Sequence, residues 1–217
     1  MSDTLELDSL TLQDSWRLFK ILSEVVEGFE TMSTTKNCIS IFGSARSKPS
    51  DKIYQDTVEI AKKLAQNGYG IITGGGPGLM EAGNKGAVEG DGASIGLHIR
   101  LPHEQSCNEY VKTRLNFRYF FIRKLMFIKY AQAYVVMPGG VGTLDELSEA
   151  FVLVQTKRIK PFPIILYDSA YWKGLVDWIR TSMVDGGYIN EREIDLITLK
   201  DTPDEVVEYI RTHVDIR

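Results

Sequence analysis

The chain has 217 residues, 43% of them apolar and 25% charged, and its 25 basic and 29 acidic side chains give a formal net charge of -4. That is the composition of an ordinary globular protein, long enough to bury a core without disulfides or a structural metal, and its acidic balance lacks the footprint of a nucleic-acid binder. No run approaches the roughly 18–20 apolar residues of a membrane helix, the first residues, Met1-Ser2-Asp3-Thr4-Leu5-Glu6, are acidic where a signal peptide is basic, and Cys38 and Cys107 form no C-x-x-C pair. The expectation is a cytoplasmic protein with two reduced thiols and neither nucleic acid nor membrane as partner.

In chain order, residues 11–32 place Leu12, Trp16, Phe19, Leu22, Val26 and Phe29 three or four apart behind a Thr11-x-x-Asp14 start that resembles a capping box. This predicts an amphipathic helix ahead of the main fold, and the division expected is an N-terminal helical extension over 1–36 followed by one domain over 37–217. Short apolar runs then alternate with helical patterns. Cys38–Phe42, Gly70–Thr73, Ser94–Ile99, Ala133–Met137 and Pro163–Tyr167 read as strands, nearly continuous in apolar character, which is what a parallel sheet covered on both faces requires. Helices are expected at 51–66, 78–89, 118–131, 143–156, 171–184 and 203–213, the last opened by Thr202-Pro203-Asp204-Glu205. Residues 102–117 are the least regular, a loop or a short extra strand. The alternation predicts an α/β fold, a single-domain Rossmann-like doubly wound parallel sheet with an N-terminal helix.

Ligands of such sheets bind beyond the carboxyl ends of the strands. Three loops there, Phe42-Gly43-Ser44-Ala45-Arg46, Thr73-Gly74-Gly75-Gly76-Pro77-Gly78 and Pro138-Gly139-Gly140-Val141-Gly142-Thr143, hold 8 of the 19 glycines. Glycine lets backbone N–H groups approach an anion, and the following helix adds its positive end, so the pattern suggests a phosphate site; turn geometry alone also asks for glycine. Neither G-x-G-x-x-G in these loops nor G-x-x-x-x-G-K-[ST] anywhere is present, which argues against a redox dinucleotide enzyme or a P-loop NTPase. His103-Glu104-x-x-Cys107 has helical ligand spacing but lies in the irregular segment without a second histidine, and no metal is expected.

Two charged residues stand out. Thr143-Leu144-Asp145-Glu146 reads as a capping box in which Glu146 satisfies the N-cap amide. Asp145 and Glu146 would repel a phosphate on that helix start unless they engage another part of the ligand, and a phosphorylated sugar, with hydroxyls reaching the carboxylate, resolves the conflict. Arg123 sits in Phe120-Phe121-Ile122-Arg123-Lys124-Leu125-Met126-Phe127-Ile128, apolar nearly all round, where its head either snorkels to water or meets an anionic partner.

Pro138 to Glu146 as P-G-G-x-G-T-x-x-E, Gly74 to Met80 as G-G-G-x-G-L-M, Arg123-Lys124 and Phe42 to Arg46 resemble, together, the LOG ("lonely guy") family, and the likeness spans most of the chain. That family was once described as lysine decarboxylases and is now regarded as cytokinin riboside 5'-monophosphate phosphoribohydrolases. Trp16-Arg17-Leu18-Phe19 and the Glu81-Ala82 that follows Leu79-Met80 resemble its longer bacterial branch. The resemblance implies hydrolysis of a nucleoside 5'-monophosphate, AMP or a cytokinin riboside monophosphate, to free base and ribose 5-phosphate, by a Rossmann-like homodimer or higher homo-oligomer without cofactor or metal. It assigns catalysis to Arg123 and Glu146, and phosphate binding to Gly139, Gly140, Gly142 and Thr143 with Gly75, Gly76 and Gly78 opposite. Ser44 and Arg46 fall near the nucleotide, and Glu81, at a helix start, is a second acidic candidate. A non-catalytic AMP-binding module would carry the same loops. A decarboxylase working through pyridoxal phosphate would need a Schiff-base lysine, and nothing in the spacing supports Lys124 or Lys129 in that role.

Overall fold

Strands apolar on both faces need cover on both sides, and the computed structural model, which describes residues 12–100 and 107–216, supplies it. β1 (Cys38–Phe42), β2 (Gly70–Thr73), β3 (Ser94–Ile99), β4 (Thr113–Phe117), β5 (Ala131–Val136), β6 (Ile164–Tyr167) and β7 (Ile197–Lys200) form one sheet in the order β4-β3-β2-β1-β5-β6-β7. Every neighbouring pair is parallel. The chain winds outward from β1 to β4, then returns to lay β5 on the other side of β1, so the direction reverses between β1 and β5. That reversal opens the crevice where ligands of such sheets sit.

The pleat sends alternate residues to opposite layers. Ile39 and Ile41 of β1, with Ala133 and Val135 beside them on β5, join the layer under α2 (Lys52–Gln66), α3 (Leu79–Glu89) and α8 (Pro203–His213). Cys38 and Phe42, with Tyr134 and Val136, join the layer under α1 (Leu12–Met32), α4 (Phe120–Tyr130), α5 (Val141–Gln155) and α6 (Ser169–Trp178). The sheet is thus doubly wound, as the alternation predicts.

β4 is the short extra strand expected in the irregular segment, and it buries only Leu115 and Phe117, leaving Arg114 exposed and Asn116 half-buried at the sheet edge. Several other elements depart from expectation for identifiable reasons. β7 at the opposite edge and the short α7 (Glu191–Ile194) carry too little apolar periodicity to announce themselves. α6 continues as a π-helical turn over Ile179–Val184. α5 begins at Val141, with Gly140 as its N-cap and no side-chain cap, so Thr143 and Glu146 do not form the expected capping box. The stripe on α1 is the largest surprise: Trp16, Phe19, Leu22, Val26 and Phe29 are exposed, and the helix meets the core through Ile21, Val25 and Met32 instead. The Thr11 start, the Leu12 side chain and the His103-Glu104 pair lie outside the described residues.

Candidate active site

Three loops meet above β1, β2 and β5, and two glycines are required for them to do so. Gly139 follows β5, and a Cβ there would lie 2.1 Å from Thr143 Oγ1 and 3.1 Å from the Ser44 amide. Gly78, at φ +68°, closes the loop after β2, and its Cβ would fall 2.4 Å from the Ser44 carbonyl oxygen. The Ser44 N–H donates to the Pro138 carbonyl at 3.0 Å and its carbonyl accepts from the Leu79 N–H at 2.9 Å, tying all three loops to one residue. A polar network backs the middle loop: Thr73 Oγ1 donates to Asn84 Oδ1 at 2.6 Å and accepts from the Gly75 N–H at 3.0 Å, and Asn108 Nδ2 donates to the Gly76 carbonyl at 2.9 Å. Gly75 therefore already spends its amide within the chain.

Gly140 and Gly142 differ from these. A Cβ at either would meet nothing within 4 Å, so neighbouring protein gives no reason for glycine at either position. Both stand at the start of α5, where the first amides of a helix have no intrahelical acceptor and the helix end is positive. Thr143 is buried beside them. From the far side Tyr171 donates its hydroxyl to the Gly139 carbonyl at 2.6 Å. Tyr171 is itself set by Asp168, the N-cap of α6, whose carboxylate accepts from the Tyr171 amide at 3.2 Å while its backbone holds φ +74°.

The charged residues gather where α4 crosses α5. Arg123 Nη2 lies 3.7 Å from Glu146 Oε1, with only 15% and 5% of the two side chains exposed. Lys124 Nζ lies 2.9 Å from Asp145 Oδ2, 3.4 Å from Glu146 Oε1 and 3.0 Å from Glu149 Oε2. The Arg123 guanidinium stands over the Phe120 and Phe127 rings, 5.1 Å and 5.8 Å from their centroids. A Cβ on Gly74 would come 3.9 Å from Arg123 Nη1, so the arginine reaches the loop after β2. Arg123 Nε, Lys124 Nζ, Glu146 Oε2 and Glu149 Oε2 are all buried without an aligned hydrogen bond in the protein, a pattern that in native proteins calls for a reason.

Burial pushes the Glu146 carboxyl above the usual carboxylate range; Lys124 and Arg123 pull it back, and Glu149 adds to the push. Burial lowers Arg123 against the opposing pull of Glu146 and Asp145. For Lys124 burial also works downward, but Asp145, Glu146 and Glu149 outweigh it and hold the ammonium above its ordinary value. A lysine so held stays protonated, the opposite of what an imine-forming amine needs.

Of the residues singled out in the sequence, the fold brings Arg123, Glu146, Gly139, Gly140, Gly142 and Thr143 to the crevice, with Ser44, Gly76 and Gly78 in the facing loops. Arg46 is exposed on the rim, its amide donating to Ser44 Oγ at 3.1 Å. Glu81 is turned to the other layer, where its carboxylate accepts from Tyr54 Oη at 2.8 Å. Lys124, Glu149 and Tyr171 were given no role by the sequence reading; the Asp145, Glu146 and Glu149 spacing on one helix was the available signal for the first two. Of the thiols, Cys38 is buried, its pKa pushed up to about 12 by desolvation, and Cys107 is half-buried with its sulfur beside Gly75. Among the described residues no cluster of three or more His, Cys, Asp or Glu is placed to hold a metal ion, and no helix is long and apolar enough to cross a membrane.

Residues 80–210 match a family described as "Possible lysine decarboxylase". The probable cytokinin riboside 5'-monophosphate phosphoribohydrolase LOGL2 of Oryza sativa subsp. japonica is 30% identical over 176 residues, 79% of this chain and 70% of that one. The chain belongs to the LOG family. A second LOG relative, the cytokinin riboside 5'-monophosphate phosphoribohydrolase of Mycobacterium marinum, is 24% identical over 155 residues, 69% of this chain and 80% of its own. Among solved structures, TM1055 superposes with a TM-score of 0.62 at 25% identity, over 81% of this chain and 99% of that one. The molybdenum cofactor binding protein of Rippkaea orientalis superposes at 0.60 and 19% identity, over 82% and 98%, a likeness of fold alone.

Proposed function

We propose that this LOG-family protein hydrolyses the N-glycosidic bond of a nucleoside 5'-monophosphate, AMP or a cytokinin riboside monophosphate, releasing free base and ribose 5-phosphate. The observation that carries the reading is the buried pair of Arg123 and Glu146, 3.7 Å apart, beside glycine loops at the point where the sheet reverses direction. The 5'-phosphate sits on the free amides of Val141 and Gly142 at the positive end of α5, with Thr143 beside it. Glu146, one turn further along α5, then reaches the ribose rather than the phosphate.

As the bond between C1' and the base nitrogen breaks, its electron pair leaves with the base and positive charge develops on the ribose ring. The Glu146 carboxylate stabilises that charge and orients the water that adds to C1'; the proton lost by the water ends on the departing base. The orphaned Glu146 Oε2 supplies the acceptor for a ribose hydroxyl or that water, and the orphaned Arg123 Nε a donor for the nucleotide. The names of the plant and mycobacterial relatives favour the same bond.

The protein works as a homodimer or larger homo-oligomer on this reading. Trp16, Leu22, Val26, Phe121 and Leu125 are exposed on α1 and α4, helices that pack against each other, and a face so apolar is expected to be covered. Residues 1–36 then serve as an extension that builds this face onto the nucleotide-binding domain over 37–217.

Incubation with AMP and, separately, isopentenyladenosine monophosphate, each beside a Glu146→Gln control, tests the reaction by chromatography of the free base. Base release that the substitution abolishes is expected. AMP bound without release from either nucleotide would instead make the protein a binding module.

A further inference from the structure

Asp145, Glu146 and Glu149 lie close together on α5, and two of them differ sharply from the third in solvation. The Asp145 side chain is 57% exposed, so water stabilises its charge; Glu149 is 35% exposed but its Oε2, the atom facing Lys124, is buried, and Glu146, at 5%, depends on the protein. Two cations are within reach of it. Arg123 is the more distant, at 3.7 Å, and its guanidinium is held over two phenylalanine rings with Nε unpaired. Lys124 is nearer, at 3.4 Å, and stands among all three carboxylates.

We propose that Lys124 is a positioning residue for Glu146: one ammonium, anchored by the carboxylates of Asp145 and Glu149, that fixes where the buried carboxylate sits and keeps it charged, leaving Arg123 to face the nucleotide. An ammonium suits this place. It is a compact charge with three donors that can serve three acceptors around a point, which a planar guanidinium cannot do. Asp145 and Glu149 draw the lysine in at 2.9 and 3.0 Å, so a cation that would otherwise prefer water stays beside Glu146. The groups facing Glu146 are Arg123 and Lys124 from α4, Glu149 along α5 and the buried Tyr134 hydroxyl from β5. The two cations favour the ionised carboxylate and Glu149 opposes it.

This assignment rests on the hydrolase reading for its consequence, but it is tested independently of it. Carboxyl carbon-13 NMR titration of Glu146, its signal identified by its loss in Glu146→Gln, is recorded for wild type, Lys124→Met, Lys124→Arg and Glu149→Gln, alongside thermal melts and the pH profile of base release. In Lys124→Met the Glu146 titration, and with it the acid limb of kcat, is expected to move up by about 1–3 pH units, an opposite charge at this range shifting a carboxylate by that much. Activity lost near neutral pH then returns as pH is raised. Glu149→Gln removes a negative charge, which lowers the titration, and an anchor of Lys124, which raises it, so a shift smaller than that of Lys124→Met is expected. Lys124→Arg keeps the limb near wild type but lowers kcat, since charge survives and geometry does not.

A Glu146 titration unmoved in folded Lys124→Met would overturn the proposal, as would activity lost equally at every pH with the limb in place. Should Lys124→Met fail to fold, the same titration in Lys124→Gln decides, and an unmoved Glu146 titration there refutes it. If wild type releases no base at all, the hydrolase reading falls while the NMR titration still judges Lys124.

Discussion

Glycines at the start of α5 separate those required for folding from those available to a ligand. At Gly139 an added Cβ would sit 2.1 Å from Thr143 Oγ1, an overlap that forces the buried threonine or the loop to move. Overpacking of this kind costs about 1–3 kcal/mol, and at about 2–4 °C per kcal/mol for a protein of this size Gly139→Ala should lower Tm by roughly 2–12 °C. At Gly140 and Gly142 the same methyl meets nothing within 4 Å, and neither residue has a left-handed backbone. Gly142 lies in the first turn of α5, where alanine gains up to about 1 kcal/mol over glycine, so Gly142→Ala should melt with wild type or a few degrees above it. Its methyl nevertheless stands where, on the proposed function, the phosphate approaches the amides. Each hydrogen bond to a charged group is worth about 1.5–3 kcal/mol, so losing one weakens AMP binding roughly ten- to hundredfold. Melts and isothermal titration with AMP on the three single alanine variants check both halves. Wild-type AMP affinity in Gly142→Ala, or wild-type stability in Gly139→Ala, would refute the reasoning.

Three further predictions concern neighbouring residues. Because burial raises the Glu146 pKa in the folded state, the stability tied to its proton is present below the unfolded pKa and is lost as pH rises through the folded one. Glu146→Gln escapes that loss, so its Tm should gain on wild type as pH rises from about pH 4, the unfolded carboxylate range, and a variant that loses ground as pH rises contradicts the assignment. Tyr171→Phe removes the 2.6 Å bond to the Gly139 carbonyl from a half-exposed side chain. A neutral hydrogen bond is worth about 0.5–1.5 kcal/mol, so KM should rise up to roughly tenfold with Tm nearly unchanged; an unchanged KM removes Tyr171 from the site. Leu22→Glu and Phe121→Glu place charges on exposed apolar positions, and light scattering should report a smaller assembly than wild type, whereas an unaltered mass would mean that another surface holds the copies together.

What the sequence made legible follows from where each element lies. β1, β2 and β3 stand at or near the centre of the sheet, buried on both faces, and their apolar runs end where the strands end. β4 and β7 are edges, half solvated, and a strand of which only alternate residues are apolar is too short here to rise above its surroundings. Arg123 and Glu146 were readable as an arginine needing a partner and an acid needing a reason, but their meeting depends on how α4 crosses α5, which no local spacing encodes. Thr143 and Glu146 resembled a helix cap because the helix was expected to begin at 143. It begins two residues earlier, and that shift turns Glu146 from the N-terminal amides toward α4. On α1 the periodicity was present, but a pattern of exposed and buried apolar residues reads the same whether the core or a partner covers it.

α4 serves three surfaces. Ile122, Met126 and Phe127 enter the core, Arg123 and Lys124 meet the acids of α5, and Phe121 and Leu125 point outward. Phe121 and Leu125 lie on the side of α4 opposite Arg123, so a second copy seated on them would reach the acids of α5 only by way of Lys124, whose charge–charge interactions strengthen as water leaves. Assembly would then strengthen the very interactions that hold Glu146, through a helix already fixed to both. The cost of burying Glu146, visible in its raised pKa, is also easier to bear in an assembly that stabilises the folded chain by mass action. The exposed apolar face and the strained acid are therefore two sides of one arrangement, joined through the residues from Phe120 to Phe127.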